Sequence, residues 1–201
     1  MVECASDKLQ NDLIAHAMSL EAKADTMKVL VEENGRKVHY QMIDNNPCLV
    51  HHYTCMDLDI EDVKKFFADF AGNMMKILPD NAKYTMIDDV VNGKKMALHR
   101  MTPGVPLVAT RSMICTYFPI DNGEEFTFIV SSQGNEEILA KHAKLLEGDV
   151  TATVLVNYYN FKNHVDSAGE VIGCKCTQIS ESNPNGSLPN MLIDKLGKAQ
   201  S

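Results

Sequence analysis

Cysteine and histidine side chains that could bind a metal occur in two short groups. The first contains Cys48, His51, His52 and Cys55, and the second contains Cys174 and Cys176. Both residue types are ligands that Zn²⁺ prefers. Successive side chains of a strand face opposite sides of the sheet, however, so two ligands of the first group lie on each face. The second group supplies only two thiols. We therefore predict no metal site.

Carboxylate pairs and signature motifs give no support to a catalytic site either. Asp88–Asp89 and Glu124–Glu125 look like solvated carboxylates of turns. The sequence contains no Gly-x-Ser-x-Gly elbow, His-Glu-x-x-His motif, phosphate-binding loop or dinucleotide fingerprint. We predict no catalytic residue and no cofactor.

Length and charge restrict the remaining function classes. The chain has 201 residues, of which 45% are hydrophobic, and its 19 Lys and Arg against 27 Asp and Glu give a net charge of −8. This size predicts a single domain over residues 1–201. Nucleic-acid binding needs clustered Lys and Arg around phosphates, and the sequence has no such cluster, so that class is excluded.

Segment composition predicts a cytoplasmic protein. The first eight residues are polar and acidic, unlike a secretory signal or a transit peptide. No apolar run approaches the roughly 18–20 residues that span a bilayer. Six cysteines without a signal peptide indicate reduced thiols. Twelve methionines and no tryptophan fit either a Met-rich core or an adaptable apolar cavity.

The hydrophobic periodicity predicts few helices and many strands. Helical spacing occurs from Ser6 to about Ala24, from an N-cap at Asp59 through Ile77, at about 136–146, and from Pro189 to about Gly197. Strand candidates are 26–31, 37–43, 48–56, 84–91, 95–101, 109–118, 126–132, 150–161 and 171–180.

This order of elements predicts an α+β fold. About nine mostly antiparallel strands, with few helices between them, do not form the alternating pattern of parallel sheets. One long curved sheet cannot bury its concave face on itself, so helices must close over it. A terminal helix used as the cover can leave a cavity beneath it.

Two stretches resemble the START (steroidogenic-acute-regulatory-related lipid transfer) domains. Residues 186–196, Gly-Ser-Leu-Pro-Asn-Met-Leu-Ile-Asp-Lys-Leu, are similar to the family's approach to its final helix. Residues 106–113, Pro-Leu-Val-Ala-Thr-Arg-Ser-Met, are similar to its Pro-x-x-x-x-Arg-Asp-(Phe/Tyr)-Val stretch, with Ser112 in place of the usual Asp. The element order resembles that of the family over nearly the whole chain.

The resemblance implies a helix-grip fold, in which a long curved antiparallel sheet wraps around a C-terminal helix and encloses an apolar cavity. It implies that the cavity binds one hydrophobic lipid, a phospholipid, a sterol or a related molecule, and exchanges it with membranes. Since the net charge is −8, membrane contact is expected to be transient and mainly apolar.

Alternate residues of the central strands are the candidate cavity lining. They are Met96, Leu98, His99, Met113, Cys115, Tyr117, Phe128, Val130, Val154, Val156 and Tyr158. Some sterol-binding START domains hold the polar end of the ligand with a buried acid–Arg pair. The matching positions fall near Leu98 or His99 and at Tyr117, so that ion pair is absent and a His99–Tyr117 pair is available for a hydroxyl.

The resemblance also implies a gate made of one loop and the final helix. The candidate gate residues are Pro103, Val105 and Leu107 of the loop, and Leu188, Met191, Leu192 and Leu196 of the helix.

Two other functions remain open from the sequence. Related helix-grip folds include small cyclases and hydrolases, in which His99, Arg100, Tyr117 and Tyr158 would supply acid–base groups. An interaction module, such as a chaperone partner, would instead have a filled cavity and a broad exposed patch.

Overall fold

The computed structural model describes residues 5–78, 82–91, 93–102 and 108–186. The helices in these ranges are α1 (Ala5–Glu21), α2 (Ile60–Ala68), α3 (Phe70–Ile77) and α4 (Glu136–Lys141), with 3₁₀ turns at Ala24–Thr26 and Ala143–Leu146. The strands are β1 (Lys28–Glu33), β2 (Arg36–Ile43), β3 (Asn46–Met56), β4 (Ala82–Val91), β5 (Lys94–Met101), β6 (Arg111–Asp121), β7 (Glu125–Ser131), β8 (Val150–Thr151), β9 (Thr153–Val165) and β10 (Val171–Asn183).

The strands in the described part of the chain form one open sheet. Its order is β1-β2-β3-β10-β9-β7-β6-β5-β4, and every neighbouring pair along it is antiparallel. The short strand β8 pairs in parallel with β6. Strands β1 and β4 are the edges, so the sheet is not closed into a barrel. The predicted α+β class with a long antiparallel sheet is confirmed.

The two faces of the sheet carry different helices. On the face that we call inner, α2 and α3 pack through Val63, Phe67 and Phe70 against β6, β7 and β9. On the opposite, outer face, α1 packs through Leu13 and Leu20 against β3, β7, β9 and β10. The α4 insertion covers the outer side of β5 and β6.

The segment from Ile60 to Ile77, which the sequence predicts as one helix, is broken at Asp69. Asp69 has φ −123° and ψ 56°, outside the helical region. Its carboxylate accepts a hydrogen bond from the backbone N–H of Gly72, 3.3 Å away, and so caps α3. Short polar side chains compete in this way with the backbone hydrogen bonds of a helix. Periodicity continues across the break, which is why it predicted a single helix.

A bulge divides β9 into two parts with opposite side-chain orientation. In the pairing with β10, Val154 lies opposite Ser182 and Val156 opposite Glu181, so Leu155 is an extra residue. An extra residue in one strand reverses the face of every side chain beyond it. The predicted strand 150–161 is also interrupted at Ala152, between β8 and β9.

Two predicted elements lie outside the described residues: the final helix from Pro189 and most of the loop between β5 and β6. No helix in the described part of the chain is long and apolar enough to cross a membrane.

Close packing of β10 on β3 generates a test of the sheet. A Cβ atom added to Gly173 would lie 2.2 Å from the carbonyl oxygen of Cys55. We expect Gly173→Ala to lower the free energy of unfolding by about 1–3 kcal/mol, because the strands must move apart. Lys175→Ala, at an exposed site of the same strand, should change it by less than about 0.5 kcal/mol. Urea unfolding measures both, and an unaffected Gly173→Ala protein would contradict this register.

Candidate functional site

Aromatic side chains form the centre of the inner face. The ring of Phe67 lies 4.6 to 5.7 Å, between centroids, from six other rings. These rings belong to Phe66, Phe70, Phe126, Phe128, Tyr159 and Phe161. Phe67 and Phe70 are stacked, with 4° between their planes. Aromatic contacts of this kind each contribute about 0.5–1.5 kcal/mol beyond area burial, so they fix α2 and α3 on the sheet.

The sequence of α2 explains why this helix presents Phe67 to the sheet. Its buried residues, Ile60, Val63 and Phe67, recur at intervals of three and four, which places them on one side of the helix. The carboxylate of Asp59 accepts a hydrogen bond from the N–H of Asp62 at 2.8 Å and begins the helix there.

A buried histidine–tyrosine pair lies next to the aromatic centre. His99 Nε2 and the Tyr117 hydroxyl are 2.9 Å apart, and both residues are at most 5% exposed. The sequence-predicted pair is therefore present. The Tyr84 ring lies 4.2 Å from the His99 ring, between centroids, with a 44° tilt, and the Phe70 ring contacts Tyr117 edge-on at 5.4 Å.

Burial keeps the pair uncharged. It lowers the pKa of His99 to about 3 and raises the pKa of the Tyr117 hydroxyl, because desolvation penalises the charged form of each group. Burial also raises the pKa of the Cys115 thiol and raises the pKa of Tyr159 to about 12. This part of the inner face is thus apolar and neutral at physiological pH, and it can hold an uncharged ligand group by hydrogen bonding.

A pocket of about 540 Å³ opens beside this pair. We call it the inner-face pocket. Its wall on the sheet side includes Tyr117, Phe126 and Phe128, and its helical side includes Phe67 and Phe70 on either side of the Asp69 break. Lysines and aspartates lie among its lining residues as well. The pocket volume falls within the roughly 300–1,000 Å³ typical of sites for small ligands.

Seven of the predicted cavity residues lie on the inner face. They are His99, Met113, Cys115, Tyr117, Phe128, Val130 and Val154. Of these, Tyr117 and Phe128 line the inner-face pocket. Lipid contact by this set remains a prediction.

The other four predicted cavity residues lie on the outer face, so their assignment to the same lining needs correction. Met96 and Leu98 pack beneath the α4 insertion, because they alternate with the inward-facing Ala97 and His99. Val156 and Tyr158 pack beneath α1, because the extra residue Leu155 reverses the orientation of β9.

Sequence reasoning missed several residues of the inner face. Beyond the bulge, Tyr159 and Phe161 face inward from β9. From β3 and β10, Tyr53, Cys55, Cys174 and Cys176 join the same cluster. The shared face of Cys174 and Cys176 was visible in the sequence, but their partner was not: Cys174 lies directly opposite Cys55.

The cysteine and histidine groups are divided between the two faces. Cys48 packs on the outer face and Cys55 on the inner face, as alternation predicts. Within the described residues, no cluster of three or more His, Cys, Asp or Glu is arranged to hold a metal ion.

Arg111 joins the segments on either side of the predicted gate. Its guanidinium donates hydrogen bonds to the carbonyl oxygens of Pro184 at 3.4 Å and Asn185 at 3.5 Å, and to that of Ala109. The loop after β5 and the chain after β10 are thereby held together where they leave the sheet. All seven candidate gate residues, Pro103, Val105, Leu107, Leu188, Met191, Leu192 and Leu196, lie outside the described residues.

The long antiparallel sheet with few helices has the architecture of the helix-grip class of α+β fold, and solved structures specify the type. Human STARD10 superposes with a TM-score of 0.68 at 14% identity, covering 99% of this chain and 75% of that one. Human StAR-related lipid transfer protein 5 superposes with a TM-score of 0.71 at 9% identity, covering 96% of this chain and 90% of that one. The STAR-related lipid transfer protein of Xanthomonas axonopodis superposes with a TM-score of 0.61 at 17% identity, covering 87% of this chain and 94% of that one.

These likenesses show that the chain has the START fold, as the sequence resemblance predicted. No protein-family model matches the chain, and no curated protein matches it.

The hydrogen bond between His99 and Tyr117 can be tested by removing the hydroxyl. We expect Tyr117→Phe to lower the free energy of unfolding by about 1–3 kcal/mol, because the buried His99 Nε2 loses its partner. Tyr84→Phe is the matched control, since the Tyr84 hydroxyl makes no hydrogen bond to the described residues. It should change stability by less than about 0.5 kcal/mol. Equal effects of the two changes in urea unfolding would argue against the pair.

The low pKa of His99 predicts a pH dependence of stability. Between pH 6.5 and about 3, the unfolded chain protonates this histidine while the folded protein excludes the proton. The free energy of unfolding should therefore fall as pH decreases through this window, by up to about 1.4 kcal/mol per pH unit. His51, whose pKa burial lowers to about 4, adds in the same direction.

Histidine NMR resonances followed from pH 8 to 4.5 measure this directly. The His99 signal should not titrate in the folded protein, and His99→Gln should flatten the pH dependence of unfolding. Titration of His99 near pH 6.5 would contradict its burial.

Proposed function

We propose that the protein binds one hydrophobic lipid against the inner face of its sheet and exchanges it with membranes. The observation that carries the proposal is the inner-face pocket, an aromatic-walled space of about 540 Å³ within a START fold. Two structures with this fold, those of human StAR-related lipid transfer protein 5 and the Xanthomonas protein, are named as lipid transfer proteins.

The physical benefit of such a site is large. Exposing a lipid with about 18 methylenes to water costs about 14 kcal/mol, at about 0.8 kcal/mol per methylene. Contact with Phe67, Phe70 and Phe128 replaces water around part of the chain and removes much of this cost during transfer.

The His99–Tyr117 pair is the proposed polar contact within the site. Both groups are neutral and satisfy each other, yet the tyrosine oxygen can accept a further hydrogen bond. An uncharged hydroxyl on the ligand can occupy this position, and an apolar chain there leaves the pair satisfied by its own hydrogen bond, whereas a charged group beside Tyr117 would lack a counter-ion.

Catalysis by this pair is disfavoured by the same burial. A general acid or base works best with a pKa near the operating pH, whereas the pKa of His99 is about 3 and that of Tyr117 is raised above its usual value. We therefore favour binding over a cyclase-like or hydrolase-like reaction.

Lipid exchange is assigned to the predicted gate of Pro103, Val105, Leu107, Leu188, Met191, Leu192 and Leu196. Arg111 supports this assignment, because it ties together the backbone on both sides of the gate. We place the exchange in the cytosol, since the five cysteines among the described residues are free thiols.

Extraction of bound lipid tests the proposal. Purified protein is extracted with organic solvent, and the extract is analysed by mass spectrometry beside a variant with a blocked pocket. Ala68 is exposed at the end of α2 and lines the inner-face pocket, so Ala68→Trp should obstruct it with little disturbance of the core. We expect wild type to carry lipid and Ala68→Trp to carry several-fold less.

Ala140→Trp is the matched control, because Ala140 is exposed near the end of α4 and is remote from the pocket. It should retain the lipid, and it should transfer a fluorescent lipid between vesicles as fast as wild type. A folded wild-type protein that remains empty after incubation with mixed liposomes would refute the proposal.

A further inference from the structure

The charges at the mouth of the inner-face pocket are unequally neutralised. Lys64 Nζ lies 2.8 Å from a carboxylate oxygen of Glu61 and 2.9 Å from one of Asp121, so its charge is satisfied. The Asp69 carboxylate accepts the Gly72 N–H at the start of α3. Both signs of charge are thus present, but these groups are already engaged.

Lys94 also lines the pocket, but its ammonium lies 3.4 Å from Gln10 Oε1 and 5.8 Å from the centroid of the Phe118 ring on the outer face. Lys95 differs from all these groups. Its ammonium lies 3.5 Å from the carbonyl oxygen of Ala68, at the end of α2, and has no carboxylate partner within the described residues. The side chain is exposed and lines the pocket beside the Asp69 break. Lys95 therefore presents an uncompensated positive charge at the rim of an apolar space.

The interior of the pocket cannot hold a charged group. Its buried lining residues include the rings of Phe67, Phe70, Phe126 and Phe128, and the neutral His99–Tyr117 pair lies beside them. The charged lining residues Asp69, Lys95 and Asp121 are exposed, and Lys64 and Lys94 have partners of their own. Burial of an unpaired charge among the aromatic side chains is strongly unfavourable. A charged amphiphile must therefore bind with its chain inside and its head group at the rim.

We infer that the pocket selects a single-chain anionic amphiphile, a long-chain carboxylate, whose head group pairs with Lys95. This inference rests on the proposed function and names its ligand class. The chain lies against Phe67, Phe70 and Phe128. A volume of about 540 Å³ suits one chain better than the two of a phospholipid, and the compact charge of lysine matches one carboxylate.

Two probes with the same chain, oleate and oleyl alcohol, separate charge recognition from apolar binding. Each is titrated, below its aggregation concentration, into delipidated protein carrying the neutral dye N-phenyl-1-naphthylamine. We expect oleate to displace the dye at about two- to fivefold lower concentration than oleyl alcohol at low salt. Raising the ionic strength should shrink this difference, since the ion pair is exposed.

Lys95→Gln should abolish the preference by weakening oleate alone, with oleyl alcohol unchanged. Lys65→Gln is the matched control, because it changes the net charge of the protein by the same amount. Lys65 lies on α2, pairs with Asp62 and does not line the pocket. It should keep the preference for oleate.

Two results would overturn the inference while leaving lipid binding in place: equal affinity of wild type for the two probes, or equal weakening of both by Lys95→Gln. Failure of the dye and both probes to bind folded, delipidated protein would contradict the inference and the proposed function together.

Discussion

The packing of Phe67 against six aromatic rings holds the helical cover on the sheet, and the site depends on that contact. Four of the rings, those of Phe126, Phe128, Tyr159 and Phe161, come from neighbouring strands β7 and β9, so α2 is fixed across the sheet instead of along one strand. The break at Asp69 then lets α3 take its own direction, with Phe70 still against Tyr117 and Phe128. The inner-face pocket lies at this break.

Charged and neutral side chains are separated between the two faces of the sheet. Polar contacts to buried carboxylates hold elements on the outer face: Asp149 accepts hydrogen bonds from Arg100 and Ser112 below the α4 insertion, and Glu181 contacts His16 of α1 at 2.6 Å. The centre of the inner face carries aromatic rings, thiols and the neutral His99–Tyr117 pair. This segregation gives the two faces different roles, one structural and one suited to an apolar ligand.

Sequence patterns were sufficient for the α+β class and for the approximate positions of most of the described strands. Asx and glycine turns separate strands that do pair as neighbours, for example at Asn34-Gly35 between β1 and β2. The His99–Tyr117 pair was also predicted, because the family resemblance implied a polar pair near Leu98 or His99 and at Tyr117. Alternation within β6 placed Met113, Cys115 and Tyr117 correctly on one face.

The remaining features of the fold cannot be predicted from hydrophobic periodicity. A single extra residue, Leu155, moved Val156 and Tyr158 to the outer face and brought Tyr159 and Phe161 inward. The helix break arises from the side chain of Asp69, while the apolar spacing continues through it. The proximity of Cys55 to Cys174 depends on pairing between strands more than a hundred residues apart, which no local pattern encodes.

Photo-crosslinking tests most directly whether the inner face binds lipid. The protein is incubated with vesicles containing a lipid that carries a diazirine in its acyl chain, irradiated, digested and sequenced by mass spectrometry. We predict labels on inner-face residues around Phe67, Phe70, Tyr117 and Phe128. Labels confined to the outer face, around Leu13 and Leu20 of α1, or no labels on a folded protein, would contradict this account.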